Sequence, residues 1–328
     1  MSASQYDHPM PRTAACRPAR RADAAPVSTV PRRRLHSWRT TIAVVMAAVV
    51  CLAALLYATG CAPFGPTVSF DGLNSRYAML IDADSGEVIE SRDADARMYP
   101  ASLTKVMTAM VVLDHAEALD DVVEAPADMF PALWEQNASM AGLQPGESAT
   151  VEDMLYGLML PSGADCDIAL ARYVAGDVEA FVELMNRSAA ALGMSGTHFT
   201  NPTGLHDADH YSTARDMTTL FAHAMRNGTF RTIAGSPSHT MSSANLHDGD
   251  LTVESTVFEE LGTPFVAGGW IVAGKTGYTP EAGLCLATAA RFGGRTYVLV
   301  TAGAPGDHET SQADADDARY VYGQIPGL

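Results

Sequence analysis

An α+β fold is predicted by where strand and helix signals fall along this chain. Strand patterns occupy both ends of the body: a hairpin over residues 77–90 and three strands after Trp270. Helical patterns dominate the long stretch between them. A sheet built from both chain ends must close around what is inserted. The expected architecture is therefore an antiparallel sheet with an inserted helical subdomain, and the cleft between the two is the natural place for an active site.

The elements follow in order. Tyr77-Ala-Met-Leu-Ile-Asp enters a turn at Asp84-Ser85-Gly86 and returns as a second strand. Pro100 followed by good helix formers predicts a helix from about Ala101, with Val106, Met107, Met110, Val111 and Leu113 as its apolar residues. A short strand is expected over 120–126. Thr150-Val-Glu-Asp153 reads as a capping box opening a helix through Leu160. Helices are expected over 164–174 and 177–192, and Thr213-Ala-Arg-Asp216 opens another that stops near Gly228. Strands over 270–277, 283–291 and 295–302 follow, the last two joined by a tight hairpin at Gly293-Gly294, and a closing helix over 313–322.

At 328 residues, 47% hydrophobic and 18% charged, the chain can build one large core or two small ones. Its charge is uneven. Residues 1–40 hold eight arginines and two aspartates, leaving 13 basic against 36 acidic residues in the remainder. So acidic a body argues against nucleic acid as a partner. Residues 1–40 read as a basic, disordered cytoplasmic leader. Ile42 to Ala58 is uninterruptedly apolar and follows Arg32-Arg33-Arg34 and Arg39, which places the N-terminus in the cytoplasm and the body on the other side of the membrane. Residues 41–61 are thus a signal or anchor segment. Ala58-Thr-Gly-Cys61 resembles a lipoprotein cleavage site, making Cys61 a candidate for lipid attachment, with an uncleaved signal anchor as the equal alternative. Either outcome leaves the body outside the cytoplasm and tethered to the membrane. A linker over 62–74 and a catalytic domain over 75–328 complete the division. A disulfide between Cys166 and Cys285 is permitted outside the cytosol, but their apolar surroundings favour two buried thiols.

The chemistry centres on Ser102-Leu-Thr-Lys105, in the first turn of a predicted helix, where residues three apart share a face. A serine hydroxyl needs a base to take its proton, and a buried lysine beside a second cation can be that base. Ser-x-x-Lys alone is a weak pattern. Lysine usage strengthens it: Lys105 and Lys275 are the only lysines in the chain, every other basic side chain apart from histidine being arginine. Only the lysines can give up a proton or act as compact point charges. A shared active site for the two is expected.

Three motifs in this order, Ser102-x-x-Lys105, Ser162-Gly163-Ala164 and Lys275-Thr276-Gly277, resemble those of the serine D-alanyl-D-alanine carboxypeptidases, low-molecular-mass penicillin-binding proteins with a β-lactamase/transpeptidase-like fold. The resemblance spans roughly 75–303 and is supported by Leu158-Met-Leu-Pro-Ser-Gly, by Phe199-Thr-Asn-Pro-Thr-Gly-Leu and by His210-Tyr-Ser-Thr-Ala-Arg-Asp-Met. It implies Ser102 as nucleophile, Lys105 as its base, and Ser162 as a proton relay to the leaving D-alanine. Lys275 and Thr276 would hold the substrate carboxylate, with Gly277 and Tyr278 completing the substrate-binding strand. The backbone N–H groups of Ser102 and Tyr278 would form the oxyanion hole. The implied substrate is a peptidoglycan stem peptide ending in D-Ala-D-Ala, the implied inhibitors are β-lactams, and no cofactor or metal is implied. The pattern departs at Ala164, where the family usually has an asparagine whose amide contacts the lysine and the substrate backbone. Two alternatives follow: a D,D-endopeptidase acting on cross-links, or a catalytically weak penicillin-binding wall protein.

Other clusters read more plainly. His206-Asp-Ala-Asp-His210 lacks a third-ligand spacing and belongs to the same resemblance, so a metal is not expected. Arg215 and Asp216 serve either the site or a helix cap. Glu183 to Asn186 falls inside an amphipathic helix and reads as packing.

Overall fold

A computed structural model describes residues 42–51, 68–247 and 250–325. Residues 42–51 are helical and exposed, and no helix among the described residues is long and apolar enough to cross a membrane. The leader over 1–40, the rest of the apolar segment and Cys61 lie outside the described residues.

The body's strands are β1 (Tyr77–Asp82), β2 (Val88–Arg92), β3 (Val122–Glu124), β4 (Ser148–Thr150), β5 (Ser238–Met241), β6 (Leu251–Glu254), β7 (Phe265–Val266), β8 (Gly269–Thr279), β9 (Gly283–Phe292) and β10 (Arg295–Ala304). Six of them form one antiparallel sheet in the order β2-β1-β10-β9-β8-β7, so the first strands and the last close on each other as expected. Tyr77 pairs with Ala302 and Asp82 with Tyr297. The period-2 alternation assigns the two faces. Met79, Ile81, Ala287, Val298 and Val300 join the core shared with the inserted helices, while Ala78, Leu80, Leu286, Phe292 and Leu299 join a second core on the other face.

The inserted region contributes α1 (Lys105–His115), α2 (Phe130–Glu135), α3 (Val151–Met159), α4 (Ala164–Ala175), α5 (Val178–Ala191), α6 (Ala214–Ala224), α7 (Gly228–Ala234) and α8 (Thr256–Leu261). α9 (Ala313–Tyr322) packs Ala315, Ala318, Val321 and Tyr322 into the second core, where the Tyr322 hydroxyl lies 3.1 Å from both oxygens of Thr288. α1 is buried continuously from Lys105 to Val112. A helix apolar on every side belongs in a core, and here it carries Lys105 into one. Thr150, Asp177, Thr213 and Asn227 each accept a backbone N–H at a helix start.

Three expectations need correcting. The helix around Ser102 does not begin as an α-helix: Ala101–Thr104 is a 3₁₀ turn running into α1. The linker over 62–74 does not reach Asn74, because Val68 and Phe70 are buried in the second core and Ser75 N donates to Asp317 at 2.7 Å. The helix opened by Thr213 ends at Ala224, and Asn227 caps a second one. Cys166 and Cys285 are free, buried thiols. Burial pushes Cys285 up to about 12 and Cys166 well above its ordinary value, so both are held as inert thiols.

Candidate active site

A cleft of about 590 Å³ opens over the 3₁₀ turn, lined by Ser102, Lys105, Ser162, Ala164 and Tyr278 among others. Residues of the first two motifs meet there with Tyr278, which directly follows the third. Lys275, Thr276 and Gly277 do not line it. They lie beneath its wall: Lys275 is fully buried and donates to Thr276 O at 2.9 Å, and Thr276 Oγ1 is 2.6 Å from Thr256 Oγ1.

Two glycines set the turn that carries Ser102. A Cβ at Gly277 would stand 3.0 Å from Ser102 N and 3.1 Å from Leu103 N, so strand β8 can lie against the turn only without a side chain there. A Cβ at Gly204 would come within 1.9 Å of Ala101 O, and Gly204 itself has φ +80°. Between them, Ala101 takes φ +47° and Ser162 φ +65°. Left-handed backbone at non-glycine residues costs on the order of 1–3 kcal/mol and persists where its surroundings enforce it. Ser162 Oγ is buried and has no partner among the described residues, so it is free to bond a ligand in the cleft.

Lys105, at 2% exposure, is held on two sides. Its Nζ donates to Thr203 O at 2.6 Å and lies 2.7 Å from Asp167 Oδ2. The loop supplying Thr203 is knotted by Asn201, whose Oδ1 accepts from Thr203 N, Thr203 Oγ1 and Gly204 N, and is tied to α1 by Thr108 Oγ1 donating to Pro202 O. Burial, followed by the Lys105 charge, pushes Lys275 down to about 7. Burial likewise pushes Asp167 up to about 7, against the pull of Lys105. Two cations and a carboxylate thus share one water-poor region.

Sequence reasoning gave no site role to Asp167, Thr203 and Thr256, nor to the His206, Glu281 and His308 residues that line the cleft. Asp165 is a structural knot: its oxygens accept from Ala141, Gly142, Leu143 and Cys166 N–H groups, fixing the 141–143 segment beside the second motif. Arg215 and Asp216 serve helix and loop packing. Arg215 grips Asp95 with two nitrogens, Asp216 N donates to the Thr213 hydroxyl, and Asp216 Oδ2 accepts from Gly196 N and Thr197 Oγ1. Asn186 bonds Phe199 N and O, a packing role as expected. In the histidine loop, His210 accepts Thr200 N at Nδ1 and lies 2.7 Å from Thr104 Oγ1. Burial lowers its pKa to about 4, which keeps it neutral.

The chain is similar to known D-alanyl-D-alanine carboxypeptidases in sequence and in fold. The D-alanyl-D-alanine carboxypeptidase DacF of Bacillus subtilis is 34% identical over 70% of the chain, which spans 57% of that relative's length. The D-alanyl-D-alanine carboxypeptidase of Streptomyces sp. strain K15 is 35% identical over 71% of the chain and 80% of its own length. The crystal structure of the Streptomyces K15 DD-transpeptidase superposes with a TM-score of 0.70 at 30% identity, covering 79% of this chain and 99% of that one. The family model described as D-alanyl-D-alanine carboxypeptidase matches residues 65–306, and the chain belongs to that family of serine peptidases.

Proposed function

We propose that the protein removes the terminal D-alanine from peptidoglycan stem peptides through an acyl-enzyme on Ser102. The observation that carries this is the convergence of Ser102, Ser162 and a buried Lys105 on one cleft. Ser102 Oγ attacks the carbonyl of the penultimate D-alanine and Lys105 Nζ accepts its proton. The oxyanion that forms is met by the N–H groups of Ser102 and Tyr278, each such donor supplying several kcal/mol of barrier lowering, roughly 3–4. Ser162 passes the proton to the departing amine, and water then releases the shortened peptide. Lys275 and Thr276 act on the substrate's terminal carboxylate from beneath the cleft wall, Lys275 as charge and Thr276 as a hydroxyl oriented by Thr256. A β-lactam carries its reactive carbonyl and carboxylate in the same relation and acylates the same serine.

The acylated serine can transfer to water or to an amine, and the leaving residue can be a free D-alanine or a cross-linked chain. Incubation with a pentapeptide, with and without an amine acceptor, and with a cross-linked dimer separates these outcomes. Release of D-alanine without acceptor is the expected result. Cleavage of the dimer alone makes the protein an endopeptidase, and penicillin labelling without any release makes it a weak binding protein. We further propose that the segment over 41–61 holds the body outside the membrane, a reading supported by the arginines that precede the apolar run.

A further inference from the structure

One buried charge takes no part in these steps. Asp167 is fully buried in α4, three residues after Ala164, so the two side chains rise one above the other from one helix face. Its Oδ2 lies 2.7 Å from Lys105 Nζ, at an angle outside hydrogen-bond geometry, and neither carboxylate oxygen has a hydrogen-bond partner among the described residues. A buried carboxylate with so little support is poor packing, and an apolar side chain of similar size would ordinarily serve stability as well or better. Its location is what distinguishes it: it addresses the active-site lysine on the side where Ala164 offers only a methyl group. Asp165 cannot do this, since its oxygens are taken by four backbone N–H groups.

We propose that Asp167 is the positioning residue of the base, a carboxylate that holds Lys105 from one turn deeper in α4 in place of a polar side chain at position 164. The inference rests on the acyl-enzyme reading of Ser102 and Lys105. A neutral amine has two N–H donors and one lone pair. Thr203 O accepts one donor, the Asp167 carboxylate attracts the amine from a second side as an ion-pair partner, and a further tetrahedral direction is left for the proton of Ser102. The proton that neutralises the pair can rest on either partner, which makes Lys105 available as a base without sending the proton to solvent. The other charged or titratable groups around the pair are Lys275 on β8, Asp165 and Cys166 on α4, and His210 behind Thr104. Of these, His210 and the Cys166 thiol are held neutral near pH 7, and Asp165 is bound to the 141–143 segment.

The test is the pH profile of second-order acylation by a penicillin, read by stopped-flow or by intact mass, for the full-length wild type, Asp167→Asn, Asp167→Ala, and Asp167→Ala combined with Ala164→Asn. Asp167→Asn keeps the shape and one acceptor but removes the negative charge that favours the ammonium form. The acid limb is expected to move to lower pH by about one unit or more. Asp167→Ala is expected to lose at least tenfold in the acylation step with a smaller change in the affinity of the initial complex, and Ala164→Asn in that background to restore part of it. A packing role would leave the acid limb of Asp167→Asn where it is in the wild type, and that result overturns the proposal, as does full-rate acylation by Asp167→Ala. Should the alanine variants not fold, the isosteric asparagine variant decides alone. Wild-type protein that takes no label on Ser102 refutes the functional reading itself, whereas a labelled wild type with an unmoved limb refutes only the role of Asp167.

Discussion

Ser162 combines two properties that pull apart on mutation. Its hydroxyl is buried at the wall of the cleft without a partner among the described residues, and its backbone is held at φ +65°. Ser162→Gly and Ser162→Ala both lose the hydroxyl, so both should acylate and turn over poorly. Glycine tolerates the left-handed conformation and alanine does not, so the glycine variant should melt higher than the alanine variant by roughly 2–4 °C, the shift expected from about 1 kcal/mol in a domain of this size. Equal melting temperatures would mean that the conformation stores no strain. Lys105→Arg keeps a cation but cannot accept a proton, so acylation should fall by two or more orders of magnitude, as expected for loss of a general base. That Ser102 and Lys105 share one cleft with Lys275 buried close by was legible because lysine is used only twice in the chain and one of the two stands three residues after a serine. Asp167 was not legible. In sequence it is one more acid in the first turn of a helix, where acids are favoured by the helix dipole, and only the fold shows that its face is the one against Lys105.

At the level of elements, the site depends on a loop, a strand and a helix start pressed together without side chains between them. Gly204→Ala should displace the Ser102 turn, because its new Cβ would sit 1.9 Å from Ala101 O. The expected outcome is a loss of at least tenfold in penicillin acylation with far-ultraviolet circular dichroism unchanged. Acylation at the wild-type rate would show that the loop can move aside without disturbing the nucleophile. The long strands and capped helices could be read from their periods and from Thr150, Asp177 and Thr213. The short strand β3 was expected within 120–126, but the 3₁₀ turn, α2, α7, β4 and the β5–β6 ribbon could not be read, since such short elements without a turn signal to bound them do not establish a period. The site's two left-handed residues were likewise invisible, because neither alanine nor serine signals such backbone.

For the whole molecule, the two cores on either side of the sheet carry different burdens. The second core has buried acids beside it: burial, followed by the Asp314 charge, pushes Glu260 up to about 8, and burial pushes Asp314 up to about 6. A carboxyl whose folded pKa exceeds its unfolded one favours the fold fully below the unfolded value, and that contribution is lost as pH rises through the folded one. Glu260→Gln should therefore match the wild type in melting temperature near pH 4 and exceed it by a few degrees near pH 9. No gain at pH 9 would mean that Glu260 is solvated in the folded protein. The tether is testable separately. Palmitate labelling that disappears in Cys61→Ala would identify a lipoprotein, and membrane association without labelling would identify a signal anchor. Recovery of the whole protein in the soluble fraction would remove the tether.

The central claim is that Ser102, served by a buried Lys105, is the residue that becomes acylated. Peptide mapping by mass spectrometry after brief exposure to benzylpenicillin tests it most directly. The account predicts one covalent penicilloyl adduct per chain, located on Ser102, absent in Ser102→Ala and strongly slowed in Lys105→Arg. An adduct on Ser162 or any other residue, or none on a correctly folded protein, would contradict it.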